Sequence, residues 1–175
     1  MKKAIAYLLI LATISSTGSL YASAMGGQTN SAIPEVTVEY IPISVNAIVG
    51  AQSLGITDTG TDNGLRNYPV YNLGTNGSAS INWTISAKGS IRSSYNYTTA
   101  SGKIVLRVSA STTASINFMI YDSTGIPVAE RTVQVTSNTT TVITYSNLFS
   151  NKQYYIKADN LSQVPTTVTG TIAAA

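Results

Sequence analysis

Apolar and polar residues alternate with a period of two along most of this chain. Ala79, Ile81, Trp83 and Ile85 share one face, and Ser80, Asn82 and Thr84 take the other. Ile104, Leu106, Val108 and Ala110 repeat the pattern, as do Ile116, Phe118 and Ile120 opposite Asn117, Met119 and Tyr121. A strand sends successive side chains to opposite faces, so each run predicts a strand with one face buried. Asp122-Ser123-Thr124-Gly125 predicts a turn that folds Ala129, Arg131, Val133 and Val135 back as a hairpin. Asn138-Thr139 predicts a second turn, before Thr141, Ile143 and Tyr145. Tyr154, Ile156 and Ala158 follow, and the pattern closes with Val164, Val168, Gly170 and Ile172. Short strands at near-regular spacing predict an all-β fold, a single β-sandwich or jelly roll of short antiparallel strands.

Upstream the pattern is less regular. Residues 33–49 read as extended, with Val36, Val38 and Tyr40 on one face. The phase flips at Ile41-Pro42, where Ile41, Ile43, Val45, Ala47 and Val49 take over. Proline donates no ladder hydrogen bond, so Pro42 predicts an edge, a bulge or a crossing between sheets. Residues 50–78 carry Gly55, Gly60, Gly64, Gly74 and Gly77 among Asn and Asp and predict a loop, with a short strand at Val70-Tyr71.

The N-terminus has a different character. Lys2 and Lys3 precede an apolar run over 4–14, and a small polar stretch ends on Ala22-Ser23-Ala24. This layout predicts a secretory signal peptide over 1–24, cut after an A-x-A site formed by Ala22 and Ala24. Ser15-Ser16-Thr17-Gly18 interrupts the run short of the roughly 20 apolar residues a membrane span requires. The competing reading is a retained N-terminal helix, as in a pilin cut near Lys3. After cleavage a flexible lead over 25–32 would precede a β domain over 33–175. No useful helical period follows the signal segment.

Composition narrows the chemistry. The 175 residues suit one domain with a core. Of ten Lys and Arg, removal of Lys2 and Lys3 leaves eight against seven acidic residues, so no basic cluster points to nucleic acid. Only 10% of residues are charged, and Ser, Thr, Asn, Gly and Tyr supply the polar surface. Such a surface suits self-packing or contact with glycans, and equally an inert secreted protein. The chain has no Cys and no His. Thiol nucleophiles, Ser-His-Asp triads and His or Cys metal sites are excluded, and an enzymatic role is not expected.

Few candidate sites remain. Asp58-Thr59-Gly60-Thr61-Asp62-Asn63-Gly64 offers oxygen donors of the kind calcium takes, with Asp58 and Asp62 as ligands; a solvated loop fits the same residues. No other cofactor is expected. Asn76, Asn82, Asn96, Asn138 and Asn160 each open an N-x-S/T glycosylation acceptor. Exposed tyrosines among Tyr95, Tyr97, Tyr154 and Tyr155 could stack on sugars or serve simply as strand residues. Trp83, in phase with Ile81 and Ile85, is expected in the core. Glu35 and Glu39, about 13 Å apart on a strand, read as solvated charges.

Two resemblances follow. Phe118-Met119-Ile120-Tyr121-Asp122-Ser123-Thr124-Gly125, Tyr154-Tyr155-Ile156-Lys157-Ala158 and Thr166-Thr167-Val168-Thr169 resemble bacterial pre-peptidase C-terminal type β-sandwich modules. The whole layout is similar to donor-strand filament subunits: TasA-like matrix fibres, archaeal bundling pili and archaeal threads. That resemblance implies removal of the signal peptide, followed by insertion of 33–49 into a neighbouring sandwich. Ile33, Val36, Val38, Ile41, Ile43, Val45 and Val49 would be the polymerisation residues, and the partner another copy of the chain. The expectation is thus a secreted, non-enzymatic filament subunit at the cell surface, with no membrane span after cleavage. A secreted module binding glycans or another surface protein is the alternative.

Overall fold

The computed structural model describes residues 33–43, 56–61 and 68–175. These residues form two six-stranded sheets and one short helix. The first sheet contains β1 (Glu35–Pro42), β2 (Thr57–Asp58), β4 (Ala79–Ile85), β7 (Ile104–Ala110), β10 (Thr139–Ser146) and β12 (Thr166–Ala174). Its order is β1-β10-β7-β12-β4-β2, so the two N-terminal strands occupy opposite edges. The second sheet runs β3 (Val70–Asn72), β6 (Asn96–Thr98), β11 (Tyr154–Asn160), β8 (Ala114–Asp122) and β9 (Pro127–Val135), with β5 (Ser90–Arg92) also on β11. Most pairings are antiparallel; β2 with β4 and β3 with β6 are parallel. The short α1 (Leu73–Asn76) begins at Asn72, whose side chain accepts from the backbone N–H of Gly74 and Thr75.

The period-two residues make the core. Ile81, Trp83 and Ile85 of β4 and Leu106 and Ile143 of the first sheet join Phe118, Ile120 and Ile156 of the second in one buried cluster. Trp83 is fully buried, whereas Asn82 and Thr84 face outward. The Tyr145 hydroxyl donates to the Phe118 carbonyl at 3.2 Å, which joins β10 to β8 across the core. Burial pushes the Tyr145 phenol well above its ordinary range.

The expected strands at 79–85 and 104–110 coincide with β4 and β7, and the later runs fall within β8 to β12. The Asp122 turn is also present. Asp122 Oδ1 accepts from Thr124 N, Thr124 Oγ1 and Ile126 N, and Gly125 takes a φ of 90°. In the middle of the first sheet, β12 and β7 approach too closely for a side chain. A Cβ at Gly170 would lie 1.8 Å from the Arg107 carbonyl oxygen.

The fold departs from the sequence expectation within 50–78, where β2 and α1 form in a stretch expected as loop. β5 and β6 lie between the expected strands β4 and β7; their polar residues gain strand structure by pairing with β11. Of the three readings offered for Ile41-Pro42, the edge is the one found, with no bulge or crossing among the described residues. β1 keeps an unbroken register with β10 from Glu35↔Ser146 to Pro42↔Thr139. Pro42 lies on the sheet edge, where a missing N–H costs no ladder bond.

Candidate functional site

The N-terminal edge strand is the candidate site. Its backbone pairs along one side with β10, and both ends are tied: the Ile43 N–H donates to the Asn138 carbonyl at 3.0 Å, and Asn147 Nδ2 donates to the Ile33 carbonyl at 3.0 Å. Val36 and Val38 are partly buried against the core, whereas Ile33, Ile41 and Ile43 are 59%, 43% and 45% exposed. Tyr40 is also exposed. Val45 and Val49, the remaining expected polymerisation residues, lie outside the described residues. Glu35 and Glu39 are exposed, as expected for solvated charges.

β1 covers an open side of the fold. It packs beside β9, the edge strand of the second sheet, as well as pairing with β10. The chain then continues to β2, at the far edge of its own sheet. Crossing five strand gaps takes about 24 Å, and the stretch 44–56 can reach roughly 45 Å when extended. That length lets β1 pair within its own subunit.

Asp58, one of the two expected calcium ligands, is fully buried. Its carboxylate accepts from Gly60 N at 2.8 Å, Ser94 N at 3.0 Å and Trp83 Nε1 at 3.2 Å, all on Oδ1. The Tyr97 hydroxyl donates to Oδ2. Burial, and then the Asp58 charge and hydrogen bond, raise the Tyr97 phenol far above its ordinary range, so it keeps its proton as the donor. Asp58 is therefore engaged as a structural acceptor between the two sheets. Asp62 lies outside the described residues. Among the described residues, no group of three or more His, Cys, Asp or Glu is placed to hold a metal.

The expected aromatic surface has an unexpected form. Tyr121 and Tyr155, directly paired on β8 and β11, stack with centroids 5.0 Å apart and an interplanar angle of 5°. The Arg92 guanidinium lies 3.6 Å from the Tyr155 ring and 3.4 Å from the Tyr68 ring. Burial lowers the Arg92 pKa against the opposing pull of the two tyrosines. Arg92 and the three tyrosines thus form one stacked cluster. Tyr97 and Tyr154 are buried, which leaves Tyr95 and Tyr155 partly accessible among the tyrosines singled out in the sequence.

The five glycosylation acceptors divide by burial. Asn76, Asn82 and Asn138 are exposed. Asn96 and Asn160 are 7% and 1% exposed. Asn160 Nδ2 donates to the Ser86 and Val164 carbonyls, and its Oδ1 accepts from Ser162 N. Asn96 Oδ1 accepts from Arg92. Strand alternation opposite Trp83 indicated the outward direction of Asn82, whereas the burial of Asn96 and Asn160 depends on distant chain segments. Ala22 and Ala24, the expected signal cleavage positions, lie outside the described residues. Among those residues no helix is long and apolar enough to cross a membrane. Comparison with protein-family models, with curated proteins and with solved structures finds no match.

Proposed function

We propose that this protein is a secreted structural subunit of an extracellular filament, a pilus or biofilm matrix fibre, assembled by donation of the N-terminal strand. The observation that supports this most is the placement of β1. It completes one edge of a sheet through its backbone, buries little of its side-chain surface, and belongs to a chain that resumes at the opposite edge. A neighbour's β1 can use the same register along β10. Main-chain hydrogen bonds supply the attachment, and Val36 and Val38 select the register. Such a contact joins two different surfaces and does not close on itself, so it propagates into a fibre.

A disulfide trap tests the reading, because the chain has no native cysteine. Thr37 and Thr144 are paired across β1 and β10. In the double variant Thr37→Cys, Thr144→Cys, donation between subunits gives a ladder of covalent multimers on a non-reducing gel. Oxidised monomer alone, at every concentration and from material able to form fibres, overturns strand donation. Electron microscopy of residues 25–175 against a chain lacking 25–49 supplies the second readout, with fibres expected only from the longer form.

A further inference from the structure

We infer that Asn76, Asn82 and Asn138 carry N-linked oligosaccharides and that Asn96 and Asn160 do not. The inference rests on export of the chain, which is part of the proposed function. All five have the acceptor hydroxyl two residues on, so sequence makes them equivalent. Folding separates them. Asn160 is sealed between the β4–β5 connection and the start of β12, with both amide donors spent on the Ser86 and Val164 carbonyls. A sugar on Nδ2 would displace those bonds from a site that is 1% exposed. Asn96 is similarly enclosed, its Oδ1 accepting from Arg92 and its Nδ2 donating to Gln153.

The other three present their side chains to solvent. Asn82 lies on the outer face of the first sheet, on β4 beside the edge strand β2, where strand alternation fixes its direction opposite Trp83. Asn76 ends α1. Asn138 lies in the β9–β10 turn, and its carbonyl holds the Ile43 end of β1. A sugar there would lie beside exposed Ile41 and Ile43 and shield the sheet edge from adventitious strand pairing. A neutral, charge-poor surface gains solubility from such a coat.

The donor class is an oligosaccharide linked to a polyprenyl diphosphate. The amide nitrogen forms a bond to the anomeric carbon, and the bond from that carbon to the diphosphate oxygen breaks. Polyprenyl diphosphate leaves, and the amide gives up one proton to a base on the transferring enzyme.

Glycopeptide mass spectrometry of the full chain, secreted by its own host, tests the assignment. Sugar is expected on peptides holding Asn76, Asn82 and Asn138, with Asn96 and Asn160 bare. Each of Asn76→Gln, Asn82→Gln and Asn138→Gln should remove the mass of one oligosaccharide and leave Tm within about 2 °C, as is usual for exposed positions. Asn160→Gln should leave the sugar mass unchanged and lower Tm. Sugar on Asn96 or Asn160, or an exported chain with all three exposed sites bare, overturns the inference and leaves strand donation standing. Recovery of the chain only inside the cell, unmodified, overturns both.

Discussion

The two edges of the first sheet are held by opposite means. At one edge, the stretch 56–61 is stitched to both sheets. Ser80 N donates to the Ile56 carbonyl, while Thr61 and Arg92 exchange backbone hydrogen bonds. Asp58, between them, is fully buried and gathers Trp83, Ser94 and Tyr97. At the other edge β1 is longer, yet among the described residues its backbone pairs only along β10 and its flanks. Pairing through the backbone is transferable, because any strand of suitable register offers the same N–H and C=O groups. A buried carboxylate with a fixed set of donors is not transferable. The difference shows which N-terminal segment is anchored by a buried side chain and which is held chiefly through its backbone.

The largest expected effect breaks the fixed edge. Asp58→Ala strips the acceptor from the Trp83 indole, the Tyr97 hydroxyl and the Ser94 N–H, and should cost about 3–5 kcal/mol in denaturant unfolding. A loss under about 1 kcal/mol would remove the contrast between the edges. Tyr97→Phe removes one donor and leaves the others, so about 1–3 kcal/mol is expected in the same measurement.

On the β1 side, Thr141 is fully buried in β10 and its Oγ1 has no hydrogen-bond partner. Thr141→Val should therefore raise stability by about 1 kcal/mol, read as a higher Tm. The paired change Val36→Ala, Val38→Ala sharpens the comparison further. Both valines are only partly buried, so monomer stability should fall by roughly 1 kcal/mol or less each. Fibre yield should fall far more if the strand is donated, since each contact then depends on it.

Acid gives the smallest and most local effect. Burial opposes ionisation of Asp122, but hydrogen bonds from Thr124 and Ile126 and the Lys152 charge outweigh it and lower its pKa. The stabilisation is present above the ordinary carboxylate range and is lost as pH falls through the lowered folded value. Asp122→Asn should therefore narrow the Tm difference between neutral and strongly acidic pH, with Tm at neutral pH reduced. Because Asp122 starts the β8–β9 hairpin, hydrogen exchange should locate the early opening there.

Much of the fold is legible locally. Ile81, Trp83 and Ile85 identify their own buried face, and the Asp122-Gly125 turn needs only its own side chains. Asp58 is different. Its Trp83, Ser94 and Tyr97 partners lie 25, 36 and 39 residues downstream, so the local sequence showed only an acidic residue beside a glycine. The aromatic stack was equally hidden, because it joins Tyr68, Arg92, Tyr121 and Tyr155 from separate segments.

Sequence alone determined the all-β character, the strands from β7 onward, the strand β4 and the inward direction of Trp83, because strand periodicity is a property of neighbouring residues. Tertiary structure decided that Asp58 became a buried structural centre, that Asn96 and Asn160 were enclosed, and which N-terminal segment lay at which sheet edge. Those outcomes depend on desolvation and on pairing between distant strands, and neither is encoded by spacing along the chain.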